Sequence, residues 1–290
     1  MKVIISGGSG YFGSELIKVF LNKNIQILNI DIQNSDLSHK NLIEINKDIT
    51  DINLNDLSNY DASTFIHLAG FADLNYAYSK PHETLKNNVE LSIKMIEICY
   101  KLNIKNFIFS SSMYANGTHG GFYGVSKKCA ELYLNEFAIQ KKINLSIIRV
   151  GSLYGGNSKE SNGLHSIIKK VLKGDKIEYN GNEDTLRNYI HVNDASNSVF
   201  EILKELKSGS YNLVGRDQYK IKDVFLIISE ILGVNFEIDY KNVKNNKHYN
   251  YSAYSVNKFD RTLEIKNQID FGSGIKELHY HIINSKNKIL

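Results

Sequence analysis

Short apolar runs alternate with stretches of helical spacing along the first half of the 290-residue chain. Val3–Ser6 is apolar and ends in glycines, which gives it the length and flanks of a buried strand. Behind it Leu16, Ile17, Phe20 and Leu21 recur on one helix face, predicting a helix over Ser14–Leu21. Gln26–Asp31, Leu42–Ile45, Thr64–Leu68, Asn106–Ser110 and Leu145–Val150 repeat the strand signature. Between them lie helical patterns over Pro81–Leu102, with a proline in the first turn, and over Gly121–Gln140. Strands alternating with helices make βαβ units and a parallel sheet. The expected class is α/β, a Rossmann-type doubly wound parallel sheet.

The pattern changes after Arg149. Helices are predicted over Gly163–Lys173, Val192–Leu206, Ile221–Leu232 and Gly274–Ile283. Short strands are expected near Lys176–Tyr179, Ser210–Leu213 and Asn235–Ile238. We expect a nucleotide-binding domain over residues 1–160, with segments near 189–215 returning to it. Residues 161–290 would form a smaller C-terminal α/β lobe that binds substrate.

Composition changes this picture little. Hydrophobic residues make up 42% and charged residues 23%, as in a packed core with a solvated surface. No apolar run reaches the roughly 18 residues of a membrane span, and the N-terminus reads as a strand rather than a leader. The net charge of +4 is scattered, partly in Lys-rich turns such as Lys241 to Lys247, and forms no basic stripe for nucleic acid. Cys99 and Cys129 are far apart and read as structural thiols, which suits the cytoplasm.

Gly7-x-x-Gly10-x-x-Gly13 follows a strand and opens a helix. Glycines there permit a tight turn and close approach of backbone to a pyrophosphate, which the helix N-terminus attracts. No Gly-Lys-Ser/Thr closes the loop, so it is not a P-loop. Gly7, Gly10, Tyr11, Phe12 and Gly13 are the expected cofactor loop. Asp31 ends the second strand, where a carboxylate accepts ribose hydroxyls and repels a 2′-phosphate. No arginine stands beside it, which favours NAD over NADP; the alternative is a turn aspartate.

Tyr123 and Lys127 are four apart in a helical segment and share a face. A tyrosine is a poor base at neutral pH, and a neighbouring ammonium favours its phenolate. Ser112, at a strand end, could hold a substrate oxygen and share the proton movement. The catalytic candidates are Ser112, Tyr123 and Lys127.

With these motifs in place the chain resembles an extended short-chain dehydrogenase/reductase of the nucleotide-sugar epimerase/dehydratase branch, similar to UDP-glucose 4-epimerases. The resemblance spans the glycine loop, Asp31, Asp48-Ile49, His67-Leu68-Ala69-Gly70, Asn88-Val89 and Ser110-Ser111-Ser112. It continues through Tyr123-Gly-Val-Ser-Lys127, Arg149-Val-Gly-Ser-Leu-Tyr154-Gly155 and Arg187-Asn-Tyr-Ile-His191. It implies that Asp48 and Ile49 flank an adenine and that Leu68, Ala69, Gly70 and Ser110 line the cofactor. Asn88 would brace the strand end, and Val150 would pack near the nicotinamide. Ser152 and Asn162 would face substrate, and Arg187 would pair with its diphosphate, or else make a surface ion pair. It further implies NAD as cofactor, a nucleotide-diphosphate sugar as substrate and polysaccharide synthesis as setting. A homodimer would form through a bundle of the helices Pro81–Leu102 and Gly121–Gln140. Met95, Cys99, Leu132 and Phe137 would line that bundle, or an ordinary core.

Departures narrow the reading. Met113-Tyr114 stands where dehydratases of the branch carry Asp-Glu, which disfavours water elimination. The loop from Ser112 to Tyr123 is short. It contains His119, which could act as an acid/base or sugar ligand, or be a solvated loop residue. Ser152 replaces a usual asparagine, Ala72 a lysine of some galactose epimerases, and Lys247-His248-Tyr249-Asn250 an expected arginine element. His279 and His281 are two apart on a helix and cannot share a face, so no metal is expected. The sequence points to an NAD-dependent epimerase acting at C4 through a 4-keto sugar. An NAD(P)H-dependent reductase or a dehydrogenase uses the same residues, and a non-catalytic NAD-binding regulator is the reading from another class.

Overall fold

Alternation within single strands sets the architecture. In β1 (Lys2–Ser6) Ile4 packs into one hydrophobic cluster while Val3 and Ile5 pack into another. Side chains of a strand point to opposite faces in turn, so a strand apolar at every position is covered on both sides. β4 (Thr64–His67) and β5 (Asn106–Ser112) repeat this: Phe65, Phe107 and Phe109 enter the first cluster, Ile66 and Ile108 the second. The computed structural model describes residues 1–117, 119–241, 261–262 and 268–286. Residues 247–250, singled out above, lie outside them.

The remaining strands are β2 (Gln26–Asp31), β3 (Leu42–Asn46), β6 (Asn144–Val150), β7 (Ser152–Tyr154), β8 (Ile177–Tyr179), β9 (Leu186–Arg187), β10 (Tyr189–His191), β11 (Gly209–Leu213), β12 (Tyr219–Lys220), β13 (Ile238–Tyr240) and β14 (Arg261–Thr262). The main sheet has the order β14-β11-β6-β5-β4-β1-β2-β3. Every pair in it is parallel. The order reverses beside β1, the place where doubly wound sheets open a ligand crevice at the carboxyl ends of their strands.

Helices cover both faces. They are α1 (Tyr11–Asn22), α2 (Leu54–Leu57), α3 (Leu74–Ser79), α4 (Pro81–Leu85), α5 (Leu91–Lys101), α6 (Gly121–Lys141), α7 (Gly163–Lys173), α8 (Val192–Glu205), α9 (Ile221–Leu232) and α10 (Phe271–Lys286). α5 and α6 close one face through Met95, Ile96, Ala130 and Leu134, and α1 and α8 close the other through Leu16, Phe20, Val199 and Leu203. Burying each of these side chains other than Ala130 stabilises the fold by about 1.5–3 kcal/mol. α7, α9 and α10 build a separate cluster around Tyr154, Ile168, Ile228 and Ile275.

Several boundaries differ from expectation. Pairing with β6 carries β5 through Ser112, past the expected end at Ser110. The helix expected over Pro81–Leu102 is interrupted by a π-turn at Lys86–Glu90, which contains Asn88; such single-turn bulges recur at functional sites. The last lobe strand starts at Ile238 rather than Asn235, because its partner β8 offers pairing only from Ile177. Met95 and Cys99 are fully buried in the protein's own core rather than presented for a bundle, whereas Leu132 is exposed.

His67 closes β4 as a buried polar residue with its hydrogen bonds supplied. Its Nδ1 lies 2.7 Å from the Ser6 hydroxyl and its Nε2 3.1 Å from the Ser92 hydroxyl. Burial, with the nearby Lys127 charge, pushes its pKa down from 6.5 to about 3. Between those values the unfolded chain binds a proton that the folded chain excludes. Stability therefore falls as pH falls through that window, by at most about 1.4 kcal/mol per pH unit. Urea unfolding of the wild type should show a loss of about 1–2 kcal/mol between pH 7 and pH 5 from this group. His67→Gln should show a smaller pH dependence; an unchanged dependence would assign it elsewhere.

Candidate active site

The first turn of α1 is built to face an anion. Its N-cap, Gly10, has no side-chain cap, and no acidic residue lies in the first turn, so unpaired N–H groups and the positive dipole end are left open. Gly7 has φ +79°, a left-handed conformation, and a Cβ there would sit 2.6 Å from the Ala69 nitrogen. A Cβ at Gly13 would sit 2.3 Å from the Gly7 carbonyl oxygen. The loop is thus pressed against β4 and α1, where only glycine fits. Asp31 steadies it from β2, its carboxylate accepting from the Ser9 N–H at 3.0 Å and the Gln33 N–H at 3.2 Å. An open helix N-terminus over a side-chain-free loop beside a carboxylate fits the pyrophosphate and adenosine ribose of NAD.

That loop forms one side of a cleft of about 610 Å³. Gly7, Gly10, Tyr11, Phe12, Gly13, Leu68, Gly70, Ser110 and Val150 line it on the cofactor side, with Ser112, Tyr123 and Lys127. Tyr123 and Lys127 come from the first two turns of α6, and Ser112 from the end of β5. The Ser112 and Tyr123 side chains are hydrogen-bonded. Burial raises the Tyr123 phenol above its usual range, and the Ser112 bond partly offsets this. The Lys127 ammonium donates to the Ser110 carbonyl at 2.9 Å and lies 5.0 Å from the centre of the Phe109 ring. Burial lowers its pKa to about 8, against the opposing pull of Glu131. A phenol hydrogen-bonded to a hydroxyl at a cleft wall, with a buried ammonium one helical turn away, can exchange a proton with a bound alcohol.

The other half of the cleft belongs to the C-terminal elements. Ser152, Asn162 and Arg187 line it. Arg187 is buried, donating to the Leu186 carbonyl at 2.9 Å and to the Tyr179 hydroxyl at 3.2 Å. Asn162 caps α7: its oxygen accepts from the Leu164 and His165 N–H groups, and its amide donates to the Leu153 carbonyl at 2.7 Å. The Tyr11 hydroxyl crosses between halves and donates to the Gly155 carbonyl at 2.6 Å.

Other expected residues stand behind or beside the cleft. Asn88, fully buried, accepts from the Phe71 N–H at 2.8 Å and donates to the Phe71 carbonyl at 2.9 Å and the Ser126 hydroxyl at 3.0 Å. It ties the turn after β4 to α6. Asp31 and Ala69 adjoin the glycine loop without lining the cleft. Asp48 caps a short turn, where Thr50 bonds hold its carboxyl below the usual range. The Ile49 side chain points into the core. His119 is exposed and is not among the lining residues. Among the described residues no group of three or more His, Cys, Asp or Glu could hold a metal.

Reading the sequence overlooked three features. Phe71, Leu74, Met113 and Tyr114 give the cleft an apolar wall beside Ser112. Tyr179 holds Arg187 from another strand, and no sequence spacing links them. Glu131 is buried against Arg149 and Ser111; its place four residues past Lys127 was the available signal.

The comparisons agree with this geometry. Residues 3–214 match the model of the NAD dependent epimerase/dehydratase family. The chain is 29% identical to a UDP-glucose 4-epimerase of Yersinia enterocolitica, across 82% of this chain and 85% of that one. It is 28% identical to an ADP-L-glycero-D-manno-heptose-6-epimerase of Brachyspira hyodysenteriae, across 72% and 74%. The UDP-glucuronic acid 4-epimerase of Bacillus cereus, solved with UDP-glucuronic acid and NAD, superimposes with a TM-score of 0.85 at 18% identity, covering 98% of this chain and all of that one. An uncapped helix over a glycine loop, with Ser112, Tyr123 and Lys127 across one cleft and a family match over most of the chain, makes this protein an enzyme of the extended short-chain dehydrogenase/reductase type and a member of the NAD-dependent epimerase/dehydratase family.

Proposed function

We propose that the protein is an NAD-dependent nucleotide-sugar epimerase that inverts C4 of the sugar. The observation that carries this reading is the hydrogen-bonded pair of Ser112 and Tyr123 over the buried Lys127, on the cleft wall facing the glycine loop. NAD held by Gly7, Gly10, Tyr11 and Gly13 would supply the hydride acceptor, and then the hydride donor, for the carbon carrying the reacting hydroxyl. Tyr123 takes the hydroxyl proton, and Ser112 holds the oxygen as it becomes a carbonyl. Lys127 stays charged over most of the neutral range and favours the phenolate that burial alone disfavours. When hydride returns, Tyr123 gives the proton back.

Arg187 faces the substrate side of the cleft as a buried cation, placed for a diphosphate. Ser152 and the remaining amide proton of Asn162 are available to sugar or phosphate oxygens. Free thiols at Cys99 and Cys129 suit a reducing compartment such as the cytoplasm, and no described helix is long and apolar enough to cross a membrane.

A homodimer belongs to the same reading. Phe122, Val125, Leu132 and Tyr133 on α6 are between 50% and 61% exposed, and Tyr100 of α5 is 45% exposed. A helix face this apolar is suited to cover by a second copy of itself, as in an isologous interface.

Three measurements test the reading. Denatured protein should release near-stoichiometric NAD, the mark of an enzyme that recycles its cofactor; a chain purified empty that then takes up NADPH would point to a reductase. Tyr123→Phe should lower turnover of UDP-hexoses by at least ~100-fold while NAD stays bound, and near-normal turnover would overturn the proton-transfer role. Light scattering should find a dimer for the wild type and a monomer for Leu132→Glu; a monomeric wild type would remove the interface.

A further inference from the structure

Glu131 is 2% exposed, and its carboxylate accepts three hydrogen bonds. The Ser111 hydroxyl donates at 2.5 Å, Arg149 Nε at 2.9 Å and Arg149 Nη2 at 2.7 Å. The acceptor lies on α6 and the donors on β5 and β6. Tyr123, Lys127 and Glu131 follow one another at four-residue steps on one face of α6. Ser111 stands between Ser110, whose carbonyl holds Lys127, and Ser112, the partner of Tyr123. Arg149 directly precedes Val150, which lines the cleft. One side chain therefore joins the three elements that carry the reacting set.

Stability alone does not call for this arrangement. An apolar pair of similar volume fills such a space at equal or lower free energy than a buried ion pair. A bidentate arginine–carboxylate pair does fix orientation, since both hydrogen bonds hold only in one plane.

We propose that Glu131 is a positioning residue for the reaction: it locks α6 against the ends of β5 and β6, keeping Tyr123 and Lys127 in register with Ser112, and sets its negative charge behind the buried ammonium. This rests on the roles given to Tyr123 and Lys127 in the proposed function. Among the described residues, the titratable groups around Lys127 are Glu131 and Tyr123 on its own helix, His67 on β4, and Arg149 on β6 beyond Glu131. The elements that pack from the other side offer the neutral Asn88 and the Phe109 ring. His67 is neutral above about pH 3, and burial raises the Tyr123 phenol above its usual range. Glu131 is the anion of the set, and its charge raises the Lys127 pKa.

The test reads Lys127 directly. Protein carrying ε-¹³C-lysine is titrated by NMR, with the Lys127 signal assigned by its loss in Lys127→Met. In Glu131→Gln the midpoint should fall by ~1 pH unit relative to the wild type. The basic limb of the kcat profile should fall with it, kcat should drop ~10- to 100-fold, and KM should change by less than about 3-fold. If Glu131→Gln does not fold, Glu131→Leu with Arg149→Met replaces the pair by an apolar one and should move the midpoint the same way by less. Coincident midpoints, or a folded variant with wild-type kcat, would overturn the proposal. Absence of turnover by the wild type on every nucleotide sugar tried would instead overturn the proposed function, and the titration would still decide on Glu131.

Discussion

Placing an ammonium out of reach of water is costly, and the active-site end of this molecule is arranged around meeting that cost for Lys127. Its hydrogen bond to the Ser110 carbonyl, the Phe109 ring beside it and the Glu131 carboxylate one turn along each offset part of the desolvation. What remains is a lysine with a pKa near 8, poised to exchange influence with the phenol one turn before it. Each compensating group needs its own element in place. β5 must run on through Ser112, α6 must begin at Gly121, and β6 must deliver Arg149 to Glu131. The parallel sheet matters to function because it delivers these ends to one edge.

Much of this was legible along the chain. Apolar runs and helical spacing located the first six sheet strands and the covering helices, because all of these strands but the edge strand β3 are buried on both faces and the helices on one. The glycine loop, Asp31, Ser112, Tyr123 and Lys127 were legible because each answers a local demand: a close approach, a strand-end carboxylate, an i,i+4 face. Other features depend on tertiary context that no spacing reports. Ile49 is an isoleucine beside a cap, and only the packing shows its side chain in the core. Tyr179 reaches Arg187 from a separate strand, and β9, β10 and β12 are two or three residues long. The π-turn at Lys86–Glu90 has no propensity signal; it exists where Asn88 must reach Phe71 and Ser126 together.

The two halves of the cleft follow different logic. The cofactor half sets glycine backbone beside Tyr11, Phe12, Leu68 and Val150. The substrate half carries Met113, Tyr114, Ser152 and Tyr179 on short elements and Phe225 on α9. Relatives sharing under a third of the sequence bear the names of different sugar substrates. A fold shared with those relatives and substrate-side side chains particular to each chain are compatible with that spread.

The bond from the Tyr11 hydroxyl to the Gly155 carbonyl has a mechanical consequence. Tyr11 opens α1 beside the glycine loop, and Gly155 begins the segment that runs to Ser161 and Asn162. Any movement of Gly155 away from α1 must either break this strut or drag the start of α1 with it. Gly7 and Gly13 leave no room for a side chain against Ala69 and the Gly7 carbonyl, so the glycine loop is closely packed. The strut couples the first turn of α1 to the segment that leads to the substrate side of the cleft.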